Sequence, residues 1–131
     1  MPFARLTTNS NVTPDSMRDL QTRLTDLIAS VLAKKHELTS VLIDRVNRDS
    51  WTIGGGLQDE AAHLEVTVTT GTNSDEQKAA FLVGAMELLT RFFPRLHRAT
   101  YIVVHEVPGT DWGYDGRSQA GRAAAASTTR E

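Results

Sequence analysis

Pro2 stands directly after Met1 in the opening run MPFARLTT. Removal of an initiator methionine before so small a residue leaves proline as the N-terminus. Its nitrogen is then a secondary amine with no amide resonance. Ordinary α-amino groups titrate near ~7.7–8.0. Burial in an apolar pocket, or a nearby cation, lowers that value by penalising the charged form. An amine tuned in this way takes a proton at neutral pH and returns it elsewhere. Pro2 is therefore the candidate catalytic residue, and its chemistry needs no cofactor.

Other chemistries find less support. The chain has no cysteine, which excludes disulfides, thiolate metal sites and a cysteine nucleophile. His36, His63, His97 and His105 lack metal-ligand spacing, so no metal is expected. Gly54-Gly55-Gly56 lacks the Lys-Ser/Thr of a phosphate loop. A net charge of −2 gives no global pull toward nucleic acid or an anionic membrane. No apolar run approaches the ~18 residues of a membrane span, and the N-terminus lacks the basic and apolar regions of a signal peptide. No nucleic-acid or membrane partner is expected, and a cytoplasmic location is the default. Three cations could hold an acidic substrate. Lys34 lies at the end of the first helix, and Arg45 and Arg48 follow the second strand. Arg45 interrupts an apolar strand, so it faces a site or reaches to the surface.

The elements that must position these residues repeat. Residues 2–8 alternate as a strand. Thr13-Pro14-Asp15 reads as a helix start, with a capping threonine, proline at the first helical position and an acid in the first turn. Leu20, Leu24, Leu27, Ile28, Val31 and Leu32 form one apolar stripe. Lys34-Lys35-His36 sits where cations complement the helix dipole. SVLIDRV (40–46) reads as a buried strand. The pattern then restarts with the alternating strand HLEVTVTT (63–70) and the capped start SDEQ (74–77). A second stripe, Phe81 to Phe93, and the apolar strand TYIVVHEV (100–107) complete it. A shift of 61 positions lays Trp51 on Trp112, Leu27 on Leu88, His36 on His97 and Gly55 on Gly116 without a gap.

The expected fold is α/β. Two β-α-β units, 2–56 and 63–117, form one four-stranded sheet with both helices on one face. The whole makes a single domain of about 118 residues, followed by a low-complexity tail at 119–131. The uncovered face of the sheet calls for oligomerisation.

β-α-β units behind a Met-Pro start, with an aromatic-Gly turn after the second strand, resemble the tautomerase superfamily. EVPGTDWGYDG (106–116) is similar to the unit-ending segment of the 4-oxalocrotonate tautomerase-like proteins. MPFARLTTNSN resembles the opening of the macrophage migration inhibitory factor group. The resemblance implies a homotrimer of two-unit chains, with Pro2 as general base in a pocket shared between subunits. It implies that Lys34, Tyr101, Trp112 and Tyr114 bind a small carboxylic acid substrate, with Arg45 a further candidate. The second unit opens on His63, whose nitrogen is internal, so one site per chain is expected.

The chain departs from the small tautomerases at their arginines. Asn11 and Val12 follow its first strand, Ser40-Val41-Leu42 open its second, and Thr72 and Asn73 fill the matching loop of unit two. The implied activity is cofactor-independent keto–enol tautomerisation of a small oxo or unsaturated acid. The alternatives are hydration, dehalogenation or decarboxylation with a protonated proline as acid, or a catalytically silent trimeric binding protein.

Overall fold

A computed structural model describes residues 1–130, with side chains through residue 126. The elements run β1 (Phe3–Thr8), α1 (Pro14–Val31), β2 (Ser40–Arg45), β3 (Thr52–Ile53), β4 (Gly56–Leu57), β5 (Ala62–Thr69), α2 (Asp75–Phe92), β6 (Tyr101–Val107), β7 (Gly113–Tyr114), β8 (Arg117–Ser118) and α3 (Gln119–Arg130). The repeat survives in three dimensions. Both ends of α1 and of α2 are 61 residues apart, and so are the starts of β2 and β6 and the two short hairpins.

The large sheet has the order β2-β1-β5-β6. Each unit pairs its own strands in parallel, β1 with β2 and β5 with β6. The units meet through the antiparallel pair β1–β5. Alternation along β1 and β5 buries Ala4, Leu6, Thr8, Leu64, Val66 and Val68 on one face. There Leu20, Leu24 and Ile28 of α1, and Phe81, Ala85 and Leu89 of α2, close over them. Each leucine, isoleucine, valine or phenylalanine side chain so removed from water contributes roughly 1.5–3 kcal/mol. Gly84 lets the two helices approach, since a Cβ there would lie 3.1 Å from Leu27 Cδ1.

Both helix starts are capped as their sequences imply. Thr13 Oγ1 accepts from Ser16 N at 3.2 Å. Ser74 and Gln77 form a reciprocal capping box. The end of α1 differs from expectation. The helix stops at Val31, and Lys34-Lys35-His36 lie outside it. Ala33 adopts φ 54°, and Lys34 N donates back to Ala29 O at 3.0 Å, which closes a Schellman motif. The cations therefore emerge from a turn and not from the last helical turn.

SVLIDRV is not the buried strand its apolar run suggests. Strand order places β2 at one edge and β6 at the other, and of β2 only Ile43 is buried. The face away from the helices is open. It carries Phe3, Leu42 and Tyr101 as exposed apolar groups. It also carries the pairs Arg5–Asp44 at 2.7 Å and His105–Glu65 at 2.6 Å. The alanine-rich tail composition yields helix α3, in keeping with alanine's helix preference.

Candidate active site

Pro2 precedes β1 and lies fully buried against the core. Its carbonyl accepts from Ser40 N at 3.2 Å, which ties the chain end to the start of β2. Because β1 and β5 are antiparallel, this end of β1 lies beside the C-terminal ends of β5 and β6. The loops that follow those two strands therefore converge on the N-terminus.

Thr70–Asn73, after β5, forms one wall. Gly71 takes φ 82°, and its N–H donates to Glu106 at 3.3 Å. Asn73 donates to Leu32 O at 2.8 Å, which joins unit two to the end of α1. Lys34 reaches across from the Schellman turn and donates to Thr72 Oγ1 at 2.8 Å. Thr72 Oγ1 in turn donates to Thr69 O at 2.6 Å. The Lys34 ammonium is half-buried, and desolvation holds its pKa below the usual lysine value, with the Glu106 carboxylate opposing that shift. Glu106 is itself held below the ordinary carboxylate value, first by its bond to Lys78 and then by Gly71 N–H.

The segment after β6 forms the opposite wall. Trp112 Nε1 donates to Thr69 Oγ1 at 3.1 Å. Tyr114 lies in the β7–β8 hairpin, turned by Asp115 (φ 51°) and Gly116 (φ 75°). These are the type I′ signs that Asp-Gly satisfies. Gln119 Nε2 lies 3.4 Å from Met1 Sδ, so the first turn of α3 touches the N-terminus.

The amine at this end belongs to Met1 in the full chain. Burial lowers its pKa most, and the nearby Lys34 and Lys35 cations lower it further. All three effects disfavour the charged form, so the position holds an amine with increased free-base character.

Pro2, Lys34 and Trp112 thus gather at one end of the sheet, with Tyr114 in the hairpin just beyond Trp112. Arg45 and Tyr101 do not join them within the chain. Tyr101 pairs with His63, opposite Thr7, five residues along β1 from Pro2. That is roughly 17 Å at about 3.3 Å per residue. Tyr101 is 70% exposed. Arg45 ends β2, is exposed, and donates to Val12 O at 3.4 Å. Tyr101, His63 and Trp51 instead line a cleft of about 350 Å³ at the far end, the repeat counterpart of the Pro2 region. Thr72, Gln119 and Arg122 were not singled out by residue type. Thr72 registers in the sequence only as a missing arginine, and the other two sit in a low-complexity stretch. Among the described residues no cluster of His, Cys, Asp and Glu could hold a metal ion.

Over 56 residues the chain is 38% identical to the probable tautomerase K2 of Dickeya dadantii (strain 3937), covering 42% of this chain and 84% of that one. The chain belongs to the tautomerase superfamily. The matched length is close to one repeat unit, so the superfamily relationship and the internal duplication describe the same building block. No protein-family model matches the chain. Solved structures agree on the whole superfamily fold. Pt0534 inactivated by 2-oxo-3-pentynoate superposes with a TM-score of 0.84 at 12% identity, covering 92% of this chain and 98% of that one. A fused 4-OT wild-type asymmetric trimer superposes with a TM-score of 0.79 at 18% identity, covering 93% and 98%. No helix among the described residues of this tautomerase-superfamily chain is long and apolar enough to cross a membrane.

Proposed function

We propose that the protein is a cofactor-independent keto–enol tautomerase in which the Pro2 amine, freed by removal of Met1, is the general base. The observation that carries this is the electrostatic setting of the N-terminus. Burial and the two cations Lys34 and Lys35 lower the pKa of the Met1 amine, and the adjacent Pro2, itself fully buried, would meet the same influences once it is the N-terminus. A depressed amine pKa supplies free base at neutral pH. It sets the isomerase reading ahead of hydration, dehalogenation and decarboxylation, which need the protonated form.

The substrate class that fits is a small oxo or unsaturated carboxylic acid. In the ketonising direction Pro2 takes the proton of the enol hydroxyl and returns it to carbon as the carbonyl forms; the reverse direction takes the proton alpha to the carbonyl. Lys34, held by Thr72, faces the negative charge that develops, and Trp112 walls the site from water.

A homotrimer fits the open sheet face and the two exposed edge strands. The superposable fused 4-OT is a trimer. In such an assembly Tyr101 and Arg45, which point away from their own Pro2, would serve a neighbouring site.

Intact mass and turnover test the reading together. The processed chain should lack Met1 and ketonise an enol such as 2-hydroxymuconate or the enol form of phenylpyruvate. Pro2→Ala should lose at least about 100-fold in kcat/KM, the scale of a placed general base. Undiminished turnover in Pro2→Ala, or a retained Met1 in an active preparation, rules the base out.

A further inference from the structure

The chain lacks arginine at the positions where the small tautomerases carry it, yet one arginine reaches this end of the molecule from an unexpected element. Arg122 lies on α3, one turn beyond Gln119 and on the same helix face. Gln119 touches Met1, so that face is turned to the N-terminus. The first turn of α3 is fixed in place. Ala120 N donates to Gly109 O at 2.8 Å, Gln119 N donates to Trp112 O at 3.0 Å, and Ser118 Oγ caps Gly121 N at 2.9 Å.

The guanidinium is equally constrained. It stacks over the Tyr114 ring at 3.7 Å from its centroid, and Nη2 donates to Tyr114 O at 3.0 Å. These contacts set the plane of the fork and leave one side of it unused. Arg122 Nε is buried without a hydrogen-bond partner. Among the described residues no carboxylate pairs with Arg122, whereas Arg5, Arg23 and Arg95 each have an aspartate. A buried, charged N–H without an acceptor is costly. The planar fork suits a planar, bidentate anion, which would give Nε its acceptor once the packing over that edge opens.

We propose that α3 completes the Pro2 site and that Arg122, clamped on Tyr114, takes the carboxylate of the substrate. The inference rests on the Pro2 reading for its location. It assigns the two cations different tasks. Lys34 sits beside the reacting amine and stabilises developing charge, and Arg122 holds the permanent charge. Specificity for acids over neutral ketones then resides in the C-terminal helix.

The test compares phenylpyruvate with its methyl ester on the processed protein. Binding is read by calorimetry and turnover by enol loss. Arg122→Gln should weaken phenylpyruvate binding about 10–100-fold and raise its KM in step, with kcat within about threefold. The ester should change by less than about twofold. Arg122→Lys keeps the charge without the fork and should recover only part of the affinity. It also decides the matter if Arg122→Gln loses helix by circular dichroism. Unchanged acid binding in both variants, or equal losses for acid and ester, overturns the proposal. Pro2→Ala separates this proposal from the base assignment. Retained phenylpyruvate affinity with lost turnover supports both. Full turnover in Pro2→Ala removes the base assignment and leaves the Arg122 binding comparison to stand alone.

Discussion

The Lys34 ammonium and the Thr72 hydroxyl meet at 2.8 Å across 38 residues of chain. Lys34 closes the first repeat's helix, and Thr72 follows the second repeat's first strand. The contact exists because β1 and β5 run antiparallel, which brings the start of one unit against the end of the other's first strand. It converts a flexible surface lysine into a positioned cation beside the chain's amine.

Lys34 should set the acid limb of the pH–rate profile. The base works only when deprotonated, so kcat/KM rises as pH passes the amine pKa. Lys34 lowers that pKa, so Lys34→Met should move the limb to higher pH. The loss should be larger at pH 6 than at pH 9. A limb that stays put in Lys34→Met would show that desolvation alone tunes the amine.

Acid should weaken the fold through two carboxylates. Glu106 is held below its ordinary pKa chiefly by Lys78, and Glu65 chiefly by His105. A depressed folded pKa contributes stability that is full above the unfolded value, ~4.3, and lost as pH falls through the folded one. The double variant Glu65→Gln, Glu106→Gln should therefore show a flatter fall in urea midpoint from pH 5 to pH 3 than wild type. Both groups are solvent-accessible, so high salt should shrink the difference between the proteins.

Gly113→Ala should unseat the β7–β8 hairpin. An added Cβ would collide with the Arg117 carbonyl oxygen, a backbone atom that cannot rotate away. We expect a cost of about 2 kcal/mol, typical of forced overpacking. Indole fluorescence should also change, because Trp112 is the adjacent residue and would lose its bond to Thr69. Thermal unfolding identical to wild type would show that the hairpin tolerates another path.

Ala33→Gly should stabilise the chain. Ala33 sits at φ 54°, where an L side chain costs about 1–2 kcal/mol. Glycine's greater freedom in the unfolded chain offsets about 0.5–1 kcal/mol of the relief. A rise in Tm of roughly 2–4 °C is expected. Because the Schellman turn presents Lys34, the pH–rate profile should be unaltered. A lower Tm would mean that the turn is not strained.

The architecture was largely legible because its signals are local. Thr13-Pro14 and Ser74–Gln77 cap their helices where their residue types demand. Alternation along residues 63–70 marks a strand buried on one face, which the structure places at Ala62–Thr69. The 61-residue shift carries one unit's reading onto the other. Burial of β2 was misread because an apolar run is the same whether its strand is central or at an edge. Strand order is a long-range property, and it leaves Leu42 exposed.

The site was legible only in part, for the same reason. Sequence alone determined that an amine could stand at Pro2, that Lys34 lies near the end of the first helix, and that the units repeat. Which of the candidates meet was decided by the antiparallel junction of the two units. It brings Lys34, Thr72 and Trp112 to Pro2 and sends Tyr101 and Arg45 to the opposite end of the sheet. Arg122 could not be read at all from an alanine-rich tail. Its meaning comes from the packing of α3 against Gly109 and Trp112, and from the Tyr114 ring beneath its guanidinium. Residue type sets what a side chain can do, and chain direction through the sheet sets where it does it.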